Sequence, residues 1–428
     1  MDSADHEAER GRVRRRRMFY IPGYDPIHPR RYRELYRREG AAQAAISGYE
    51  IALAGRRGAG PYGWSVTSTQ DGATVETTVE VLVWSDIVRE SMSDSIGATY
   101  LQLVRTAWTY IGSGALFRLM RLRKGPVIAA LYPVAVLLLE GLAALALGAL
   151  AAAALLGLWS LLGPATVLRW LPALALGAGV AVLVLRWFRR HDGRIYAWYL
   201  MHDYAHTASR RGAWPPALAA RLKAFESRLA AALREDVDEV LLVSHSSGAH
   251  LGVSVLAGLI RAGGVPARGS QGPALSFLTL GQVVPMVSFL PEARELRADL
   301  AFLSMRDELA WVDVSAPGDG CTFALCDPVA VSGVAPEGQS RPLVLSAAFS
   351  QTLSPERWQA LRRRYFRLHF QYLCAFDRPG DYDYFRITAG PLTLAARHAG
   401  RAPSRSRITR AVSGHRSTAA LPFAGAGG

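Results

Sequence analysis

Between Pro126 and Leu162 the only ionisable side chains are Tyr132 and Glu140, and between Leu171 and Leu185 there are none. A helix needs roughly 20 apolar residues to cover a bilayer core, and each run meets that length. Gly163-Pro164 separates the two, so the pair reads as a transmembrane hairpin with two spans. A signal peptide is excluded by position, because a long polar, arginine-rich stretch precedes the first run. The competing reading, a buried helical hairpin inside a soluble core, fits the run lengths less well. Glu140 is costly inside a span, which makes it either functional, protonated, or paired within the hairpin or across an oligomer.

Arg118, Arg121, Arg123 and Lys124 precede the first span, and Arg186, Arg189, Arg190 and Arg194 follow the second, while the connecting turn has only Arg169 near its far edge. The positive-inside rule therefore puts both flanks, both termini and everything outside the hairpin in the cytoplasm, with the protein integral to an inner or plasma membrane. The same basic flanks would attract anionic headgroups, by roughly 1 kcal/mol per Lys or Arg near the surface. A net charge of +14 is a usual mark of nucleic-acid binding. Here the arginines cluster at the start, beside the apolar runs and in the tail, and no nucleic-acid module is recognisable, so none is expected as a partner. Cys321, Cys326 and Cys374 are odd in number and lack metal-ligand spacing, which suits free thiols in a reducing compartment. His202 and His206 stand four apart, but His-Asp-Tyr-Ala-His lacks the glutamate of a zinc-protease helix, and no metal is expected.

Outside the hairpin the chain is long enough for one large α/β domain. The pattern predicts helices over Arg30–Ser47, Tyr196–Ala208 and Trp214–Arg234. Strands are expected near Tyr49–Ala54, Thr74–Trp84, Val240–Val243, Leu275–Leu280, Leu309–Val314 and Pro342–Ala348. Alternating strands and helices argue for a doubly wound, mostly parallel sheet. The expected division is 1–125 and 189–399 as the two parts of that domain, 126–188 as the hairpin, and 400–428 as a disordered basic tail rich in Gly, Ala, Ser, Pro and Arg.

Within residues 238–250 an apolar run breaks abruptly at Ser244-His245-Ser246-Ser247-Gly248, and the apolar segment Leu251–Ile260 follows. A buried strand would deliver Ser246 onto a sharp turn, where small neighbours at 244 and 248 leave the backbone room. Amides at the start of the following helix would face an anion formed there. The segment resembles the nucleophile elbow of the α/β-hydrolase superfamily, Gly-x-Ser-x-Gly, with Ser244 in place of the first glycine. Residues 18–26, a short apolar strand running into Pro22-Gly23-Tyr24, resemble the superfamily's early oxyanion loop, although without a plain His-Gly.

That resemblance implies a serine esterase or lipase-like enzyme needing no cofactor, with Ser246 as nucleophile and the amides of Tyr24 and Ser247 as oxyanion hole. The superfamily's order of serine, acid, histidine leaves His369, His398 and His415 after the elbow helix, and His369 is the best placed. Asp319 in Ser-Ala-Pro-Gly-Asp-Gly is the first choice of acid, with Asp313 and Asp327 as alternatives. A hairpin tether suggests a lipid-like ester or acyl substrate. The rival expectation is a catalytically inactive membrane scaffold or binding protein on the same fold.

Overall fold

The computed structural model describes residues 11–56, 60–92, 95–161, 167–266 and 272–418. Among them, eight strands form one sheet: β1 (Arg15–Ile21), β2 (Glu50–Gly55), β3 (Gly63–Gln70), β4 (Ala73–Val81), β5 (Glu239–His245), β6 (Ala274–Leu280), β7 (Leu309–Ser315) and β8 (Leu343–Ser346). Their order is β2-β3-β4-β1-β5-β6-β7-β8. From β4 to β8 every neighbouring pair is parallel, whereas β2, β3 and β4 form an antiparallel meander. The sheet is thus mixed, and the sequence pattern did not reveal β3.

Both faces of the central strands are buried, as expected of parallel strands covered on two sides. On one face Met18, Tyr20, Leu241, Val243, Leu278, Leu280, Val312 and Val314 pack with Tyr32 and Tyr36 of the helix Arg30–Ser47 and with Tyr372, Phe376 and Phe385. On the other lies the helix Gly248–Arg261, which continues from the Ser246 turn. Its Gly252 approaches Phe277 and Ser244 so closely that a Cβ would meet the Ser244 hydroxyl at 2.5 Å. At the sheet's amino end, Arg16 and Glu239 form a fully buried pair at 2.6 Å, and Ser276 adds a hydrogen bond to the same carboxylate.

The chain divides into two compact units, 1–89 with 113–126 and 210–428, and 90–112 with 127–209. This corrects the expected boundaries. Residues 90–112 and 189–209 leave the sheet domain and join the apolar helices, because the helices Ile96–Gly112 and Ala197–Ala208 form a core with them through Leu103, Leu137, Trp198, Met201 and Ala205. The 37-residue helix Lys124–Ser160 and the 28-residue helical stretch Val167–Arg194 are long and apolar enough to cross a membrane. Only 22% and 11% of their most apolar windows are buried, where a soluble core helix would be mostly covered. Gly148 and Gly177 let the two approach, since a Cβ on either would lie under 3 Å from the other's carbonyl oxygen. Glu140 accepts a hydrogen bond from the Trp198 indole at 3.0 Å. The expected Gly163-Pro164 turn lies outside the described residues.

The expected disordered tail is a second correction, for its described part. Ser404 donates from its backbone to Val344, Ile408 exchanges backbone bonds with Leu325 and Asp327, and Val412 donates to Val331. These are main-chain bonds, indifferent to the Gly, Ser and Arg composition that suggested disorder. Residues 419–428 lie outside the described residues.

Candidate functional site

Parallel strands present their carboxyl ends at one edge of a sheet, and in this chain connections run from β1 towards β4 on one side and from β5 towards β8 on the other. The crevice between β1 and β5 is therefore a topological switch point, where α/β sheets bind ligands. Pro22-Gly23-Tyr24 leaves β1 there, and Ser246 leaves β5 there.

Ser246 has φ of +57°, the left-handed region that a non-glycine residue rarely occupies. This conformation turns the chain sharply from strand to helix and leaves Ser246 partly exposed between buried neighbours. Close packing holds the turn. Gly248 could not bear a side chain, because its Cβ would lie 2.5 Å from the Ile21 carbonyl and 2.7 Å from that of Pro22. A Cβ on Gly23 would meet the Ser246 Cβ at 3.1 Å, so the two turns touch. The Ser246 amide donates to the Leu280 carbonyl at the end of β6, 2.9 Å away.

His369 and Asp319 meet at the same edge. Asp319 follows β7, and its Oδ2 accepts from His369 Nδ1 at 2.7 Å, with both side chains nearly inaccessible to solvent. Its Oδ1 accepts the Cys321 amide at 2.9 Å, and the Tyr372 hydroxyl donates to Oδ2 at 3.1 Å. Gly281, directly after Leu280, has φ of +53°. A Cβ there would lie 3.2 Å from His369 Cε1 and 2.6 Å from the Tyr372 ring, so glycine is what admits the imidazole. Ser246 and His369 thus flank the same two residues at the end of β6.

The other expected candidates stand elsewhere. Asp313 lies within β7, accepts from Thr279 Oγ1 at 2.6 Å, and burial pushes its carboxyl up to about 7. Asp327 caps the short helix Pro328–Val331 through the amides of Val329 and Ala330, and Gln339 donates to its other oxygen. Neither is hydrogen-bonded to His369. His398 belongs to the opposite edge, because Leu394, four residues before it, donates its amide to Glu239, the first residue of β5. His415 hydrogen-bonds the Ser113 carbonyl.

One expectation changes in detail. The Tyr24 amide, expected to face an oxyanion, donates to Ser247 Oγ at 2.8 Å. The hydroxyl occupies that donor, so an incoming oxyanion would have to displace it by rotation of the Ser247 side chain.

Two contributors escaped the sequence reading. His245 lies inside the elbow itself, its ring 4.6 Å from that of His369, with Nε2 2.9 Å from the His369 backbone oxygen. Burial, followed by the neighbouring His369, holds its pKa well below the ordinary histidine value. His245 is therefore neutral and donates through Nε2–H, fixing the backbone that carries the His369 ring. Tyr372 orders the acid from behind, and burial first, then Asp319, keeps its phenol protonated. The doublet Ser244-His245 and the phrase His369-Phe-Gln-Tyr372 carried the relevant residue types, but nothing local tied them together.

Ser246, partly exposed, and the hydrogen-bonded Asp319–His369 pair thus stand at one edge of the sheet, residue types of the kind that nucleophilic acyl transfer with proton relay requires. Among the described residues no group of three or more His, Cys, Asp or Glu is arranged to hold a metal ion. No protein-family model, curated protein or solved structure matches this chain.

Proposed function

We propose that the chain is a membrane-tethered serine hydrolase of the α/β-hydrolase kind, cleaving an ester or other acyl substrate without a cofactor. The observation that carries this reading is the Asp319–His369 hydrogen bond at the same sheet edge as a left-handed Ser246. The chain order of serine, acid and histidine agrees with the resemblance noted above. Ser246 Oγ attacks the acyl carbon as its proton passes to His369 Nε2. Asp319 keeps Nδ1–H pointed at its carboxylate and stabilises the imidazolium. The tetrahedral oxyanion is held by the amide of Ser247 and, once the Ser247 hydroxyl turns aside, by that of Tyr24, each such donor supplying about 10²–10³-fold. His369 returns the proton to the leaving oxygen, and water then repeats the sequence on the acyl-enzyme.

A fluorophosphonate probe tests the assignment directly, because it captures an activated serine covalently. Capture at Ser246 in folded, detergent-solubilised protein, lost in Ser246→Ala, is expected. Failure to label any serine would favour the second reading, a binding scaffold that has lost catalysis. The occupied Tyr24 amide is the observation on that side.

The two long apolar helices are read as bilayer spans, with the basic flanks at Arg118–Lys124 and Arg186–Arg194 in the cytoplasm. This tether makes a lipid-like substrate the natural class. Reporter fusions should give cytoplasmic signals at both termini and the opposite signal at Gly163. Release of the protein by a carbonate wash, or an external signal from either end, would overturn the topology.

A further inference from the structure

The loop that carries Asp319 is gripped on both sides of the acid. A Cβ on Gly318 would lie 2.5 Å from the Trp358 ring, and one on Gly320 would lie 3.2 Å from the ring of Tyr365, so each glycine admits an aromatic side chain. Tyr365 opens the short helix Tyr365–His369, which ends on the imidazole bonded to Asp319. Gly320 has a second neighbour. A Cβ on Gly125 would meet the Gly320 carbonyl at 3.1 Å, and Gly125 lies in the first turn of the helix Lys124–Ser160, which runs on into the first apolar run. The Asp319 loop, the segment before His369 and the root of that helix therefore meet.

That segment is Arg362-Arg363-Arg364-Tyr365-Phe366-Arg367, four cations in six residues with no acid among them. All six are exposed, Tyr365 by 58% and Phe366 by 41%. None of the four guanidinium groups has an ion pair or a hydrogen bond among the described residues. Arg357, a few residues earlier, is by contrast paired with Asp377 and Glu39. Leu368 and His369 are buried, which anchors the exposed stretch to the core. Adjacent like charges repel, and aromatic rings left in water forgo the gain of burial. The segment thus suits a partner that is anionic and apolar at once.

We infer that residues 362–367 dock on an anionic phospholipid surface, the arginines at the phosphates and the rings of Tyr365 and Phe366 among the headgroups. The planar guanidinium matches phosphate oxygens, and aromatic rings favour the membrane interface. Each arginine near such a surface favours association about fivefold, so four together supply on the order of 10²–10³-fold. Single-stranded nucleic acid also offers phosphates and stacking partners. The lipid is favoured by continuity with the apolar helix. Lys124, beside Gly125, is exposed, as are Arg118 and Arg121 on the preceding helix Ala115–Leu122, and a tethered domain meets its own bilayer at high effective concentration. The inference rests on reading the long apolar helices as spans. It makes the rim of the Asp319–His369 pair the surface that meets lipid.

To test this, the full chain is reconstituted in nanodiscs of phosphatidylcholine, with or without phosphatidylserine, and backbone hydrogen exchange is followed by mass spectrometry over residues 362–369. Phosphatidylserine is expected to slow exchange there at least ~10-fold, and high salt should reverse the effect by screening the exposed charges. A variant combining Arg362→Gln, Arg363→Gln, Arg364→Gln and Arg367→Gln should exchange alike in both discs. Its four sites are exposed, so its melting temperature should match the wild type. Equal exchange of the wild type in the two discs, or protection that persists in the variant, would overturn the inference. Greater protection by single-stranded RNA in phosphatidylcholine discs than by phosphatidylserine would overturn it too, assigning the segment to nucleic acid. No turnover is measured, so the result is independent of the hydrolase reading. Failure of the chain to enter either disc would overturn the spans, and this docking with them.

Discussion

Ser246→Ala is expected to abolish turnover of a short-chain ester, by on the order of 10⁴-fold or more, while the protein melts as the wild type does. The elbow conformation is enforced by its neighbours. Gly248 lies against the Ile21 and Pro22 carbonyls, and the Ser246 amide is held by Leu280. Alanine inherits the same backbone and loses only the hydroxyl proposed as nucleophile. His369→Ala should be nearly as damaging, since members of a triad act as a unit and their losses do not add. Hydrolysis measured at saturating substrate decides the matter, and normal activity in Ser246→Ala would sink the mechanism.

The second large effect concerns the acid. Asp319→Asn should slow the reaction by a comparable order, because an amide facing Nδ1 favours the wrong histidine tautomer. Asp313→Asn and Asp327→Asn should leave the rate close to normal and act on stability instead, one through the Thr279 contact and the other through the helix cap. A collapse of activity in either of these, with Asp319→Asn nearly wild type, would show that the bond to His369 is structural.

Much of this edge was legible in the sequence because its signals are local. An apolar run that stops at small residues describes a strand ending in a tight turn, and Ser246 lies in such a place. Helix Arg30–Ser47 was read with its observed limits, and β6 and β7 within one residue, since each is a long run bounded by polar residues. The choice of Asp319 over Asp313 rested on the resemblance, which puts the acid after this strand; Asp319 follows β7 and Asp313 lies within it. What escaped depends on distant partners. β3, Gly-Trp-Ser-Val-Thr-Ser-Thr-Gln, is half polar because one of its faces is largely exposed, and only pairing with β2 and β4 makes it a strand. Residues 90–112 carry no mark of belonging with the apolar helices until Leu103 meets Leu137 and Trp198. The tail looked disordered by composition because main-chain bonds leave no trace in side-chain statistics.

The pairing of β1 with β5 has a consequence for biosynthesis. Arg16 and Glu239 are 223 residues apart, and everything that separates them, both apolar helices included, is synthesised in between. Loop closure over such a distance is slow and cannot begin until β5 leaves the ribosome. During that interval β1 has β4 on one side and an unpaired, hydrophobic edge on the other, the kind of strand that recruits foreign chains. By the proposed topology the spans have already emerged and can be captured by the bilayer. On that topology membrane integration would precede completion of the sheet, and the nascent amino-terminal half would depend on holding chaperones until the chain returns to it. Delaying insertion should then show first as aggregation of that half, before any loss of catalytic competence in molecules that do mature.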